Sequence, residues 1–351
     1  MFSADKNNEK PTLLISPLDW GMGHTTRVFP IIRKAEQEGY KIIIACNSAQ
    51  KKILQEEFSE VMYEEISGYD IRYGNSGTAT ILKILLQIPK ILIAIKKEFR
   101  WVKKFLKKHK VDLIVSDNRY GFRAEHIRSV LITHQLSPKS GLGKAADRFM
   151  QNFLYRYINR FQECLVPDYE NGNDLAGKLS HPENLPAIPV KYFGPLSRLE
   201  GVTAKTLSHT GFEKFILVIV SGPEPQRSLF ENKIIHDIHN APLPVILLRG
   251  KPGENNIPLH DDTKIKILPH VSACEMVYLI SQASMVISRP GYSTIMDLNV
   301  LGREAVFVPT PGQGEQLYLA KYHHEQYGTP YLTQEEFSFE KISGYLKAAG
   351  V

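Results

Sequence analysis

The sequence predicts an α/β protein with two doubly wound domains, each a parallel sheet covered by helices. Short β-branched runs alternate with helical patterns, which is typical of βαβ units. Two series of such units begin in the same way, with a buried strand, a glycine-containing loop and a helix. The 351 residues also exceed the length at which one hydrophobic core usually divides into two.

The first series opens with a strand at 12–16, the loop 17–24 and a helix that ends at Gly39. Val, Ile and Leu dominate its strands, as expected for strands buried on both faces. The later strands of this series are predicted at 41–46, 111–117 and 130–134.

The second series opens with a strand at 215–221 and the loop 222–226. A last helix at about 334–348 could pack on either domain. The later strands are predicted at 244–250, 264–268, 284–288 and 304–309.

Glycine, proline and serine interrupt the pattern between 191 and 203, so the domain boundary is expected there. The predicted domains are 1–198 and 199–351, facing each other across a cleft. Ligands of doubly wound sheets bind beyond the carboxyl ends of the strands, so functional residues are expected in the loops that follow strands.

Composition narrows the class of protein. The chain is 43% hydrophobic and 23% charged, which excludes a disordered, collagen-like or coiled-coil protein. Its three cysteines are far apart and form no CxxC motif, which argues against a zinc site and favours a reducing cytoplasm. No apolar signal core and no uncharged apolar run of about 18 residues is found, so no membrane-spanning helix is predicted.

The segment 83–110 holds most of the excess positive charge. It contains ten Lys or Arg and one Glu, a net charge of +9 in a chain of +6. A basic, apolar, Trp-containing stretch in an otherwise mildly acidic chain favours a peripheral position on an anionic membrane surface. A core helix with a solvated lysine face would give the same pattern. Nucleic acid is not an expected partner, because the basic residues lie in this one stretch without interleaved aromatics.

The loop 17–24 (PLDWGMGH) contains a candidate general base. Its glycines, including Gly23, allow the backbone to approach a ligand, and Thr25 or Thr26 is expected to cap the next helix. His24 ends this loop, where the strand gives way to the helix, and imidazole titrates near neutrality, as activation of a hydroxyl requires. A histidine bonded only to backbone is the alternative. GxGH is not GxGxxG, so a nicotinamide cofactor is disfavoured.

The strand at 284–288 leads into a candidate phosphate site. The strand ends at Ser288, a turn runs through Arg289 and Gly291, and Ser293 or Thr294 is expected to cap the next helix. The N–H groups and the dipole at the start of that helix favour an anion such as phosphate.

Two further features follow this turn. Asp297 lies one turn into the helix, where it could bind the hydroxyls of a ribose or complete a capping box with Thr294. The loop 309–316 then places amides and a carboxylate at a helix start, and such donors and acceptors suit sugar hydroxyls. Its candidate residues are Gln313, Gly314, Glu315 and Gln316.

Two more loops of the second series fit the same edge of the sheet. Ser221 and Gly222 follow its first strand, and Arg227 nearby could neutralise a diphosphate or lie on the surface. After the strand at 264–268, the backbone of His270 and Val271 could bind the edge of a planar base, or His270 could be a turn residue.

These motifs resemble the C-terminal domain of glycosyltransferase family 28, which includes the peptidoglycan N-acetylglucosaminyltransferase and the galactolipid synthases. SRPGYSTIMDL (288–298) and VPTPGQGEQLYLA (308–320) carry the resemblance, and a weaker one begins at GMGH (21–24). It implies the GT-B architecture, with two Rossmann-like domains and a nucleotide-sugar donor held mainly by the second. It also implies inverting, metal-independent transfer by a protein that is often peripheral to a membrane.

The resemblance implies roles for single residues. Asp297 binds the ribose, although the family usually has Glu there, which leaves the nucleotide open. His24 matches the histidine of the family's N-terminal loop, but that loop lacks the longer glycine run, so no acceptor is implied. The implied diphosphate group is Ser288, Arg289, Gly291, Ser293 and Thr294, and the implied sugar contacts are Gln313, Glu315 and Gln316.

We therefore expect an inverting, metal-independent hexosyltransferase that moves a sugar from a UDP-sugar to an acceptor hydroxyl. His24, helped by Asp19, would accept the proton, while helix N–H groups and Arg227 would stabilise the leaving diphosphate. The expected location is cytoplasmic, on the inner face of the cell membrane, where the basic segment presents a lipid-linked acceptor to loops 116–123 and 133–137. A nucleotide-sugar epimerase, a hydrolase of the same fold and a non-catalytic nucleotide-sugar-binding subunit are the alternatives.

Overall fold

The computed structural model describes residues 10–71, 86–139, 143–205, 211–251 and 264–348, except the side chain of Met22. By its internal contacts the chain forms two compact units, whose boundary in the sequence lies between Arg198 and Leu199. Residues 83–85 of the basic segment lie outside the described residues. No helix among the described residues is long and apolar enough to cross a membrane.

The first unit contains a seven-stranded parallel sheet in the order β3-β2-β1-β4-β5-β6-β7. This is a doubly wound order: β2 and β3 are added on one side of β1, and β4 to β7 are added on the other side. The strands are β1 (Thr12–Pro17), β2 (Lys41–Cys46), β3 (Met62–Glu65), β4 (Leu113–Asp117), β5 (Arg128–Ile132), β6 (Glu163–Val166) and β7 (Val190–Tyr192).

Five described helices accompany this sheet, and hydrophobic residues of the strands pack beneath them. Leu14, Ile43 and Ile114 share one buried cluster with Val102 and Phe105 of the fourth helix. The helices are α1 (Met22–Arg27), α2 (Phe29–Gln37), α3 (Ser48–Gln55), α4 (Ile88–Phe105) and α5 (Lys144–Ile158).

The second unit repeats the pattern with a five-stranded parallel sheet in the order β10-β9-β8-β11-β12. Here β9 and β10 are added on one side of β8, and β11 and β12 on the other side, so the strand order reverses between β8 and β11. The strands are β8 (Ile216–Ile219), β9 (Val245–Leu248), β10 (Ile265–Leu268), β11 (Met285–Ser288) and β12 (Val306–Phe307). The helices are α6 (Gln226–His236), α7 (Ala273–Gln282), α8 (Tyr292–Val300), α9 (Gly314–Tyr327) and α10 (Phe339–Ala348).

The last helix packs within the second unit. Phe339, Ile342 and Leu346 of α10 join a buried cluster with Phe230 and Val218 of the same unit. Burial of each such side chain contributes roughly 1.5–3 kcal/mol. Of the two positions left open by the sequence, the C-terminal domain is therefore the one that α10 occupies.

The α/β class and all nine predicted strands are confirmed. Three further strands, β3, β6 and β7, were not predicted. In β3 the sequence MYEE has two glutamates and sits at the edge of the sheet, and β7 is only three residues long. Short or polar edge strands lack the long apolar run on which the prediction depended.

Both predicted helix caps are wrong. The first helix begins earlier, with Gly21 as its N-cap at φ 95°, so Thr25 lies inside it and accepts a hydrogen bond from Gln50 Nε2 at 3.2 Å. The N-cap of α8 is Gly291, and no side chain caps that helix. In both cases the N-cap residue is a glycine, which has no side chain that could cap the helix.

The basic segment forms α4, which has an inner and an outer face. Trp101 stacks on Phe105 and Phe122, and its indole N–H donates to Glu65 O at 3.1 Å. The tryptophan is therefore partly buried and packs against the core cluster of the first unit. The outward positions include exposed Leu86, just before α4, and Ile93 within it, and continue with Lys96, Lys97, Arg100, Lys103, Lys104, Lys107 and Lys108.

Candidate functional site

The loops after β1 and β4 bring His24 and Asp117 together. These strands are neighbours, and Pro17 is in register with Asp117 at their carboxyl ends. His24 lies in the first turn of α1, and its Nδ1 is 2.8 Å from Asp117 Oδ2. Asp117 is fully buried, whereas the His24 side chain keeps 16% exposure. The ring is therefore held by a carboxylate from inside and remains accessible from outside.

Arg27 lies against the same carboxylate. Its Nη2 donates to Asp117 Oδ1 and is 2.9 Å from His24 Nδ1, and its Nη1 is 3.2 Å from Nδ1 of buried His134. Burial alone would raise the pKa of Asp117, but the charges and hydrogen bonds of Arg27 and His24 outweigh it and hold this pKa below its usual value. In the tautomer with its proton on Nδ1, His24 donates to the ionised Asp117 and keeps on Nε2 the lone pair that a base needs; the approach of Arg27 Nη2 to Nδ1 is then not a hydrogen bond.

Asp19 has a different role from the one expected. Both of its carboxylate oxygens accept the backbone N–H of Tyr69 at 3.0 Å, and Oδ2 is 3.4 Å from the N–H of Asp70. A Cβ atom at Gly68 would overlap this carboxylate. Asp19 therefore holds the loop after β3, and Asp117 is the carboxylate that meets His24.

Sequence reasoning did not name Asp117, Arg27 or His134 as site residues. A signal for Asp117 was present, because it ends the strand that joins β1 in a doubly wound sheet. Asp117 and His134 also lie in the loops 116–123 and 133–137 that were expected on the acceptor side, whereas no signal pointed to Arg27.

The second unit has unpartnered polar atoms at the carboxyl edge of its sheet. Ser288 Oγ, Arg289 Nε and Thr310 Oγ1 are buried, and none has a hydrogen-bond partner among the described residues. A Cβ atom on Gly222 would lie 3.7 Å from Thr310 Oγ1, so the loop after β8 adjoins the loop after β12. Buried polar atoms without partners are rare in folded proteins and indicate a place for a polar ligand.

Arg289 is fully buried, and in the described part of the chain no carboxylate pairs with it. Its Nη1 donates to the carbonyls of Val308 and Pro309 at 2.8 and 3.1 Å, and its Nη2 to Gln334 Oε1 at 2.5 Å. Burial lowers the pKa of Arg289 to about 9. This uncompensated charge favours an anion at the same edge, while the guanidinium itself binds the loops.

Arg227 is engaged within the protein. Its Nε donates to Glu224 at 2.8 Å and its Nη2 to Ser228 at 2.8 Å. Its Nη1 donates to Glu231 at 2.6 Å and to the carbonyl of Arg249 at 3.1 Å. The geometry thus gives Arg227 a structural role in place of the expected contact with a diphosphate.

The other predicted donor residues follow strands of the second unit. Gln316 is buried and accepts the N–H of Thr310 at 2.8 Å, which joins α9 to the loop after β12. Val271 is buried before α7, whose N-cap is Ser272. Asp297 lies in the second turn of α8. The remaining residues lie in the loops or first turns at this edge, namely Ser221, His270, Ser293, Thr294, Gln313, Gly314 and Glu315.

One group of potential metal ligands occurs in the described ranges, formed by Asp168, Asp174 and His181. The carboxylate of Asp168 already accepts hydrogen bonds from the backbone N–H of Leu175 at 2.8 Å and of Ala176 at 3.1 Å, and from Ser180 Oγ at 2.6 Å. This arrangement organises the loop after β6 in the first unit.

Comparison with known proteins gives concordant results. Residues 229–349 match the model of the Glycosyltransferase family 28 C-terminal domain. The UDP-N-acetylglucosamine–N-acetylmuramyl-(pentapeptide) pyrophosphoryl-undecaprenol N-acetylglucosamine transferase of Psychromonas ingrahamii is 23% identical over 351 residues, covering 96% of this chain and 89% of the relative. The enzyme of the same name from Blochmanniella floridana is 23% identical over 82% of this chain and 74% of the relative.

Solved structures share the fold. MurG of Acinetobacter baumannii superposes with a TM-score of 0.53 at 14% identity, covering 97% of this chain and 90% of that chain. The kitacinnamycin glycosyltransferase gives 0.63 at 13% identity over the same shares. Arabidopsis thaliana UGT89C1 with UDP-L-rhamnose gives 0.62 at 10% identity, covering 97% and 90%. The chain is therefore a glycosyltransferase of the GT-B fold whose residues 229–349 match the family 28 C-terminal domain.

Proposed function

We propose that this glycosyltransferase moves a sugar from a UDP-sugar to a hydroxyl of a lipid-linked acceptor, with inversion at the anomeric carbon. The observation that carries the proposal is the His24–Asp117 pair, with its 2.8 Å contact between a buried carboxylate and an accessible imidazole. In a direct displacement, the attacking hydroxyl must lose its proton as its bond to the sugar forms. His24 Nε2 accepts that proton, and Asp117 stabilises the imidazolium that results.

The second unit binds the donor. Its unpartnered atoms Ser288 Oγ and Thr310 Oγ1 and the uncompensated charge of Arg289 favour a diphosphate, which has many acceptor oxygens. The first N–H groups of α8, which begins at Tyr292, add donors without side chains. These groups stabilise the leaving diphosphate, so the proposed reaction needs no metal ion. Asp297 binds the ribose, and Gln313 and Glu315 bind the sugar.

The nature of donor and acceptor is supported by the relatives. Both named relatives use UDP-N-acetylglucosamine and a pyrophosphoryl-undecaprenol acceptor, as their names state. The outward face of α4 adds a row of lysines and arginines that fits an anionic membrane surface, where a lipid-linked acceptor is found. We therefore place the enzyme at the cytoplasmic face of the cell membrane.

Replacement of His24 tests the chemistry. We expect His24→Ala to lower the transfer rate about 100-fold to 10,000-fold, because that is the usual contribution of a general base. UDP affinity, measured by calorimetry without added metal, should stay within twofold, because no donor residue changes. The transfer assay uses UDP-N-acetylglucosamine with the acceptor named for the relatives.

Asp19→Asn is the matched control near His24. It removes a carboxylate charge in the same loop but leaves the Asp117 contact, so it should lower the rate far less than Asp117→Asn. Full transfer by His24→Ala would contradict the proposed base. UDP release without an acceptor, at the same rate as with one, would instead indicate a hydrolase.

A further inference from the structure

The first unit contains a second buried charged pair, which the proposed chemistry does not use. Glu98 on α4 is 3% exposed, and Arg119, two residues after Asp117, is fully buried. Arg119 Nε donates to Glu98 Oε1 at 2.8 Å. Glu98 Oε2 accepts hydrogen bonds from the Tyr69 hydroxyl at 2.9 Å and from the Gly121 N–H at 3.0 Å. Glu98 is also the one acidic residue of the basic segment, and it points inward.

Arg119 connects the loops that follow three strands. Its Nη2 donates to the carbonyl of Ser67 at 2.6 Å, in the loop after β3. Its Nη1 is 3.4 Å from the carbonyl of Pro17, which ends β1 and leads into the loop before His24. Its own backbone belongs to the turn after β4. Arg119 therefore links the two segments that carry the His24–Asp117 pair, through its guanidinium at the end of β1 and through its backbone in the turn after β4.

The turn that carries Asp117 is closed tightly on Arg119. Ser116 Oγ donates to the carbonyl of Arg119 at 2.6 Å and accepts its N–H at 3.1 Å. Asn118, between them, adopts a left-handed backbone with φ 56°. Few backbone torsions separate Asp117 from Arg119, so a displacement of Arg119 moves Asp117 as well.

Helix α4 touches the same turn without an intervening side chain. A Cβ atom on Gly121 would overlap the carbonyl oxygen of Ile95 and lie 2.9 Å from Glu98 Cβ. Burial raises the pKa of Glu98, although Arg119, Tyr69 and Gly121 oppose this effect. The ionised form of Glu98 is thus stabilised by Arg119, Tyr69 and Gly121, the same groups that its carboxylate binds.

We propose that Glu98 and Arg119 are positioning residues for the His24–Asp117 pair. From α4 they fix the turn after β4 and the loop after β1, so that Asp117 Oδ2 stays within hydrogen-bond distance of His24 Nδ1. The consequence for catalysis rests on the proposed function, whereas the consequence for the hydrogen bond does not.

The test measures that hydrogen bond directly, by proton NMR of the full chain. The Nδ1 proton of a histidine bonded to a carboxylate is expected at low field, and His24→Gln identifies it by its loss. In Glu98→Gln and Arg119→Lys we expect this resonance to shift or broaden. Transfer, measured as UDP release from UDP-N-acetylglucosamine, should fall about 10-fold to 100-fold in kcat with the donor KM unchanged, as for a small displacement of a catalytic group.

Arg119→Lys is included in case Glu98→Gln does not fold. It keeps the positive charge beside Glu98 and loses only the guanidinium contacts with the carbonyls of Ser67 and Pro17. Glu163→Gln is the matched control. Glu163 pairs with Arg128 at 2.7 Å at the amino end of β6, the opposite edge of the same sheet. This control should leave both resonance and rate unchanged.

Two results would overturn the positioning role. One is an unchanged low-field resonance in both Glu98→Gln and Arg119→Lys, and the other is an equal change in Glu163→Gln. Failure of the proposed function has a separate signature. If His24→Ala keeps full transfer while Glu98→Gln still shifts the resonance, His24 is not the base and the positioning role stands.

Discussion

Arg227 and its two glutamates illustrate how burial decides the role of a single side chain. Glu231 is 4% exposed and bridges Arg227 and Arg249, whereas Glu224, the other partner of Arg227, is 52% exposed. An exposed ion pair contributes little in water, but loss of one member of a buried pair leaves charge without compensation. The same arginine therefore has one strong and one weak carboxylate partner.

This contrast predicts different effects for two like substitutions. Glu231→Gln should lower the free energy of unfolding by roughly 3–5 kcal/mol, because two buried arginines lose their carboxylate. Glu224→Gln, the matched control, should lower it by about 1 kcal/mol or less. Urea unfolding measures both. An equal effect of the two substitutions, or a large loss of UDP affinity in Glu224→Gln, would contradict a purely structural Arg227.

Among the elements, α4 has two faces of different character. Its inner face supplies Val102 and Phe105 to the core and Glu98 to Arg119. Its outer face presents lysines and an arginine from Lys96 to Lys104, and exposed Lys107 and Lys108 follow just after the helix. A helix that is anchored by its buried side can expose a dense positive face without loss of the fold.

The outer face predicts binding to anionic vesicles. Each basic residue near such a surface contributes about 1 kcal/mol, so Lys96→Gln, Arg100→Gln and Lys103→Gln together should weaken binding by about 100-fold. The control replaces three exposed lysines outside α4, Lys178, Lys341 and Lys347, which changes the net charge equally. Sedimentation with vesicles rich in phosphatidylglycerol measures both triple variants. Equal loss in the two would indicate general electrostatic attraction instead of a surface on α4.

For the whole molecule, the proposed mechanism assigns different parts of the chemistry to the two units. Each sheet reverses its strand order once, between β1 and β4 or between β8 and β11. The candidate base lies at the first reversal, and the unpartnered atoms Ser288 Oγ, Arg289 Nε and Thr310 Oγ1 adjoin the second. Crevices form at such reversals because the neighbouring loops turn to opposite faces of the sheet.

This division predicts where UDP slows amide hydrogen exchange. Peptides that cover 221–228, 288–295 and 309–316 should gain protection at saturating UDP, because they follow β8, β11 and β12. Peptides that cover 18–27 and 116–122 should change little, since they belong to the unit with the candidate base. Protection of these last peptides, without protection after β11, would contradict the assignment of the donor to the second unit.

Residue patterns along the chain determined the fold class. Nine apolar runs identified nine strands, because a strand buried on both faces needs a continuous apolar sequence and keeps it in any context. The motifs 288–298 and 308–320 identified the family domain, since a turn with glycine and a helix start are local features. The edge strand β3 and the N-caps at Gly21 and Gly291 were not predicted, because tertiary contacts override local propensity at these positions.

Only the tertiary structure decided which charges meet. His24 and Asp117 are 93 positions apart in sequence, and they pair because β1 and β4 are neighbours in the sheet. The same folding turned Asp19 toward the backbone of Tyr69 and enclosed Arg227 between glutamates. Residue type states what a side chain can do, but its partner depends on strand order and burial, which are properties of the whole fold.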